Sequence, residues 1–233
     1  MENNIFLKRQ MNKNYGKNIV EDVFETKVDS IYKENYTSSC AVYSDSNFVY
    51  KVFRREAIVD QFKKFLHNYN GDLKLLGTHQ SHEVTIFKMN KLPGETILSR
   101  HNNNKQTNID LPKLMSWFKK QVHEIHNSGI RCYEKYDEYK IKNDPWGNGF
   151  IFTFCDWTNG NFLYDEAQKQ LYLIDLEPVN WIPRNVWNCV IRDHFSTFIK
   201  NFNNIKEIED PKYVADLEDV IARELGNEIA LFG

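Results

Sequence analysis

Asp156, Asn161 and Asp175 are the residues of this 233-residue chain whose types and spacing are best suited to chemistry. Asp156 follows the apolar run FIFTF at 150–154, and Asn161 stands within the loop that comes next. Asp175 leaves a second apolar run, LYLI at 171–174. Two apolar strands bracketed in this way bring three oxygen donors around one or two hard cations. Mg²⁺ favours oxygen ligands and commonly shares them with phosphates. The stretch 150–181 therefore predicts an oxygen-rich cation site, and the rest of the chain must supply its scaffold.

The first part of that scaffold is β-rich. Residues 1–20 are polar and read as an unpatterned lead-in. Runs at 25–31, 40–43 and 48–53 have strand character, and the Asp45-Ser46-Asn47 turn joins the last two. Alternation in the third run sets Phe48, Tyr50 and Val52 on one face and Val49, Lys51 and Phe53 on the other. Lys51 is then either a lysine that snorkels past apolar neighbours or a cation held for phosphates. Residues 57–66 carry a helical stripe, with Glu56 and Asp60 near its start. Two further strands are expected at 73–77 and 84–89, around a turn at 78–82. The second runs into Asn90-Lys91-Leu92-Pro93-Gly94-Glu95-Thr96. Locally that is a turn; in a two-lobed enzyme it is where the chain crosses between lobes, with backbone groups able to pair with an adenine edge.

The remainder is mainly helical. Residues 99–108 read as a polar loop. Asp110 offers an N-cap to a helix marked by Leu111, Leu114, Met115, Phe118, Val122 and Ile125, with Gly129 as its C-cap. His123 and His126 share a side of it, and packing suits them better than metal binding because no third ligand is near in sequence. The aromatic and charged segment 131–149 either lines a substrate site or covers the core. Two more helices are expected at 186–202 and 213–225, with Trp181, Pro183 and Trp187 wedging the preceding strand against them.

Composition narrows the class. With 41% apolar and 14% aromatic residues the chain can bury a core. A net charge of -2 argues against a nucleic-acid partner. No run reaches the roughly 20 apolar residues of a membrane span, and the first residues lack a secretory apolar core. Peripheral membrane contact stays open. Cys40, Cys132, Cys155 and Cys189 are dispersed, as free thiols of a reducing compartment would be, so a cytoplasmic location is expected.

Taken together, VYKVF around Lys51, IFKMNKLPGETIL, VHEIHNSGI, FCDWTNGNFLYD and LYLIDLEP resemble the protein-kinase-like superfamily. The last two are similar to the H-G-D-x-x-x-x-N and I-D-x-E patterns of aminoglycoside, choline and thiamine kinases, and to those of lipopolysaccharide core heptose kinases. The resemblance covers residues 26–181. It implies an α+β, two-lobed fold: an antiparallel-sheet nucleotide lobe over 1–90, and a hinge with a reduced, mainly helical catalytic lobe over 91–233. It further implies ATP and Mg²⁺ as cofactors and transfer of the γ-phosphate to a hydroxyl. The acceptor would be a sugar, glycolipid or other small molecule, with a protein Ser/Thr hydroxyl as the alternative. Asp156 would orient or deprotonate that hydroxyl, Asn161 and Asp175 would hold Mg²⁺, and Lys51 would neutralise phosphate with Glu56, or else Asp60, as its partner acid. Backbone groups near Met89 and Lys91 would read adenine. The loop 32–39, YKENYTSS, contains no glycine, so Ser38 and Ser39 are assigned as phosphate donors there. The same lack of glycine fits a pseudokinase that binds nucleotide or a partner without turnover. Phe154 stands where the pattern has His, and Glu177 where protein kinases have Gly.

Overall fold

The computed structural model describes residues 15–34, 40–54, 58–82, 84–132, 149–176, 179–202 and 205–230. Ser38, Ser39, Glu56, Glu177 and most of the aromatic segment 131–149 lie outside these residues. The chain divides into two compact units, Met1–Lys63 with Lys74–Lys91, and Lys64–Leu73 with Leu92–Gly233. Among the described residues no helix is long and apolar enough to cross a membrane.

The first unit is a five-stranded antiparallel sheet. Its strands are β1 (Ser30–Glu34), β2 (Cys40–Ser44), β3 (Phe48–Arg54), β4 (Leu75–Gln80) and β5 (Val84–Asn90), in the order β1-β2-β3-β5-β4. Alternation in β3 separates its faces as expected. Tyr50 and Val52 join Tyr43, Val84 and Ile86 in one apolar cluster. On the other face Phe53, Phe62 and Phe87 form an aromatic trio with centroids 5.0–6.0 Å apart. Phe62 comes from α2 (Ile58–Asn68), the helix expected over 57–66.

Several expectations fail in this unit: β1 takes in 32–34, read as loop, β4 takes in 78–80, read as turn, and the lead-in and the first strand also differ. Residues 15–24 are a helix, α1 (Tyr15–Phe24), and not a lead-in. Val20 is fully buried in the first cluster, with Ile19 and Phe24 packed beside it. The helix ends at Glu25 in a left-handed conformation (φ 48°), with the Thr26 N–H returning to the Glu21 carbonyl at 3.2 Å. That is a helix-terminating geometry usually marked by glycine, so no glycine announced it. The first strand also begins later than expected, at Ser30. Before it, the Val28 N–H is donated to the Glu21 carboxylate and the Thr26 hydroxyl to Asp45.

The Asp45 turn between β2 and β3 is as the sequence indicates. Asp45 Oδ1 accepts from the N–H groups of Asn47 and Phe48 at 2.8 and 2.7 Å, and Oδ2 accepts from Thr26 and Tyr50 hydroxyls at 2.7 and 2.6 Å. Burial would raise this carboxyl, but the bonds from Tyr50, Thr26 and the two backbone groups outweigh it and bring the pKa down to about 2.

The second unit holds α3 (Ile97–Asn102), α4 (Leu111–Cys132), α5 (Trp187–Ile199) and α6 (Pro211–Ala230). Its strands form two small sheets. β7 (Phe150–Phe154) pairs with β10 (Val179–Pro183), and β8 (Phe162–Asp165) lies between β6 (Glu95–Thr96) and β9 (Gln170–Leu173). α3 makes residues 99–102 helical where a loop over 99–108 was expected, because Thr96 caps the helix: its hydroxyl accepts from the Ser99 N–H at 3.1 Å. Asp110 caps α4 as expected, accepting from the Lys113 N–H at 2.9 Å.

Gly129 does not end α4, which continues to Cys132. A Cβ at this position would lie 2.1 Å from Phe152 of β7, so the glycine permits close helix–strand approach. His126 accepts from the Phe152 N–H through Nδ1 at 3.3 Å, and His123 bonds Glu228 of α6. Both histidines serve packing rather than a metal pair.

Candidate active site

The loop after β7 is built from the inside outward. Trp157 is buried against Phe118 of α4 (4.6 Å between centroids), Phe154 (5.5 Å) and Phe198 of α5 (5.8 Å). Its indole N–H reaches back to the Phe154 carbonyl at 2.9 Å. Asn201, just beyond α5, donates to the Trp157 carbonyl at 3.1 Å, and the Leu98 N–H of α3 donates to the Asn159 carbonyl at 3.0 Å. An indole clamp and two bonds from distant elements thus fix the loop that carries Asp156.

Asn161 closes that loop. Its N–H bonds the Thr158 carbonyl at 3.0 Å, while its side-chain Nδ2 donates to the Asp156 carbonyl at 2.9 Å and to Asp156 Oδ2 at 2.8 Å. The asparagine is 8% exposed and the aspartate half-buried. After the β8–β9 hairpin, the Ile174 N–H returns to the Asn161 carbonyl at 3.0 Å. That bond brings the segment entering Asp175 against the loop, and Asp175 is half-buried. The structure thus joins Asp156 to Asn161 directly, and Asp175 through its neighbour.

The remaining assigned residues belong to the first unit. Lys51 of β3 is 4% exposed, between Val42 and Phe87 in the ladder, with Nζ 5.7 Å from the Phe62 ring centre. Asp60, the other acid considered beside Glu56, is exposed on the first turn of α2. Met89 is buried in β5, opposite Val49 on one side and Leu75 on the other. The Lys91 N–H bonds the Asn47 carbonyl at 3.2 Å, and its Nζ bonds the Asp45 carbonyl at 2.7 Å. Lys91 therefore braces the β2–β3 turn. The chain passes into the second unit after it, and Gly94 turns with φ 108°, where a Cβ would meet the Tyr164 carbonyl at 2.5 Å.

Among the described residues no three His, Cys, Asp or Glu side chains group to hold a metal. A Mg²⁺ ion does not require such a cage, because it retains waters and takes phosphate oxygens with one or two protein ligands. With the Asn161 amide nitrogen directed to Asp156, its Oδ1 is the atom it offers to a cation. A carboxamide and a carboxylate are oxygen donors of the kind Mg²⁺ takes.

Sequence reasoning missed the residues that hold this site. Trp157 was visible only as an aromatic after the aspartate. Asn201 had no local signal, because its contact spans 44 residues.

An antiparallel five-stranded sheet carrying a buried strand lysine, followed by a mainly helical unit carrying the Asp–Asn loop, is a protein-kinase-like fold. Solved structures bear this out. The chain is similar to WbdD in a co-crystal with a kinase inhibitor, with a TM-score of 0.54 and 15% identity over 88% of this chain and 46% of that one. It is likewise similar to a structure of the bifunctional kinase-methyltransferase WbdD, with a TM-score of 0.51 and 14% identity over 88% and 47%. The chain thus spans less than half of the WbdD chains it matches. No protein-family model and no curated protein sequence matches it.

Proposed function

We propose that this chain is an ATP- and Mg²⁺-dependent phosphotransferase that moves the γ-phosphate to a hydroxyl of a sugar, glycolipid or other small molecule. The observation that carries the reading is the Asn161 side chain, which bonds both the backbone and the carboxylate of Asp156. That contact holds the carboxylate in one rotamer and leaves Oδ1 to take the acceptor hydroxyl. Asp156 then orients the hydroxyl and receives its proton as the phosphoryl group transfers. Asn161 and Asp175 would hold Mg²⁺, which supplies charge stabilisation at the β- and γ-phosphates when bound. Lys51 adds a cation on a rigid strand, and Ser38, Ser39 and Glu56 retain the roles the resemblance gives them. The Lys91 N–H already bonds Asn47, so adenine recognition would draw on carbonyl groups and on the chain beyond Lys91.

The WbdD likeness supports a kinase reading through the fold, and WbdD is itself a kinase-methyltransferase. The test is ATP consumption with Mg²⁺ across a panel of sugars, aminoglycosides and protein mixtures, for the native chain and Asp156→Asn. Turnover in the native chain should fall at least a hundredfold in the variant with ATP binding retained. Equal turnover in both would remove Asp156 from the mechanism. Nucleotide binding with no turnover on any acceptor would establish the pseudokinase alternative.

A further inference from the structure

We propose that the second unit carries a binding site for one neutral sugar ring, in a cavity of about 300 Å³ between α3, the loop that follows it and the end of α5. That volume is at the lower end of small-molecule sites. It is large enough for one monosaccharide unit.

The chemistry of the walls selects the ligand. Asn104 and Gln106 contribute exposed carboxamides, each carrying a donor and an acceptor in one plane, whereas the Asn201 amide nitrogen is spent on the Trp157, Thr197 and Phe198 carbonyls and leaves only its Oδ1 to the cavity. Neighbouring hydroxyls on a sugar ring donate and accept in the same alternating fashion. Ile97, buried at 2% exposure, lies beneath the carboxamides as packed support. None of the described lining residues is a carboxylate, so a cation gains nothing there. The one lysine of the lining, Lys105, lies 2.7 Å from the Glu95 carboxylate, so its charge is already balanced and does not select an anion. A lining that is polar, hydrogen-bonding and locally neutral favours an uncharged polyol.

The walls are set before any ligand arrives. The Asn103 N–H bonds the Ser99 carbonyl at 3.0 Å, the Asn104 N–H bonds His101 at 3.1 Å, and the Lys105 N–H bonds the Arg100 carbonyl at 2.8 Å. Asn104 holds a left-handed φ of 52°, a conformation asparagine tolerates better than most residues. Arg100 is buried, bonds the Gln106 carbonyl and stacks 4.9 Å from the Tyr164 ring centre. A loop tied at three successive residues loses little entropy on binding.

The cavity also touches the catalytic loop's support. Asn201, one of its walls, is the residue that donates to the Trp157 carbonyl beside Asp156. The sugar site stands on its own lining; its service as a subsite for a longer acceptor rests on the phosphotransfer reading.

The test is a nucleotide-free titration of the whole chain with methyl α-glucoside, methyl α-galactoside and methyl α-mannoside, followed by calorimetry or NMR shifts. At least one should bind saturably with Kd on the order of millimolar, more tightly than glycerol or inorganic phosphate. Gln106→Ala and His101→Ala change exposed side chains, so the fold is retained, and each should weaken binding about fivefold or more. Lys212→Ala, an exposed position of α6 outside both sites, should bind the glycoside unchanged. No saturable binding up to about 50 mM, or binding indifferent to both wall substitutions, overturns the proposal. Sugar binding without ATP turnover in the native chain keeps this site and removes the phosphotransfer reading, so the two fail separately.

Discussion

Replacing Asp45 with asparagine should flatten the acid limb of the stability curve. The carboxylate accepts four hydrogen bonds, from two hydroxyls and two backbone N–H groups, and its pKa stands at about 2 against an ordinary 3.8. At about 1.4 kcal/mol per pKa unit, the difference corresponds to roughly 2 kcal/mol of stability. The sign follows from the depressed folded pKa. The contribution is complete above the unfolded value near 3.8 and is lost as pH falls through about 2. The carboxamide of the Asp45→Asn variant presents one acceptor oxygen and an NH₂ group, so the Thr26 and Tyr50 hydroxyls face a donor instead of an anion. Urea unfolding at fixed ionic strength, at pH 7, 5, 4, 3 and 2, measures the effect. The native chain should lose roughly 2 kcal/mol more than Asp45→Asn between pH 5 and pH 2. Parallel curves for the two proteins would show that the four bonds do not hold the carboxylate ionised, and the account of the β2–β3 turn would fall with it.

Gly129→Ala should destabilise the second unit by about 1–3 kcal/mol, because its Cβ would overlap Phe152 and either β7 or α4 must shift; a denaturant midpoint unchanged from the native chain would contradict this. Asn201→Ala removes the bond to the Trp157 carbonyl and should lower kcat roughly 10- to 100-fold with a much smaller change in KM for ATP. A steady-state assay showing a KM effect alone would place Asn201 outside the positioning of Asp156.

What was legible in the sequence is what local chemistry controls. The β3 alternation placed Lys51 opposite Tyr50 and Val52 because the strand period is fixed at two residues. The Asp45 turn and the Asp110 cap were readable because their side chains bond backbone groups two or three residues away. The errors arose where distant contacts decide. Glu25 ends α1 in a conformation usually left to glycine, which the following turn and the Asp45 network accommodate. Gly129, read as a helix stop, is there because Phe152 presses on it from a strand more than twenty residues later. In the site, Asp156, Asn161 and Asp175 were visible as a spacing. The bond from Asn161 to the Asp156 carboxylate was not, because it depends on the loop being folded back by Trp157.

That indole also accounts for Phe154. The patterns this loop resembles have a histidine two residues before the aspartate, where a polar side chain can bond the backbone of the loop. Here the position is a fully buried phenylalanine whose side chain can only pack, and it lies opposite Val179 in the β7–β10 pair. Its carbonyl nevertheless receives the Trp157 indole N–H, and Trp157 is in turn enclosed by Phe118, Phe162 and Phe198. In this loop the fixing is done by an aromatic side chain after the aspartate. Such an anchor is robust to charge and pH but sensitive to volume, since buried aromatics interdigitate at crystal-like density. A histidine at position 154 would place an imidazole beside the Trp157 ring in a fully buried position, so Phe154→His should destabilise the chain.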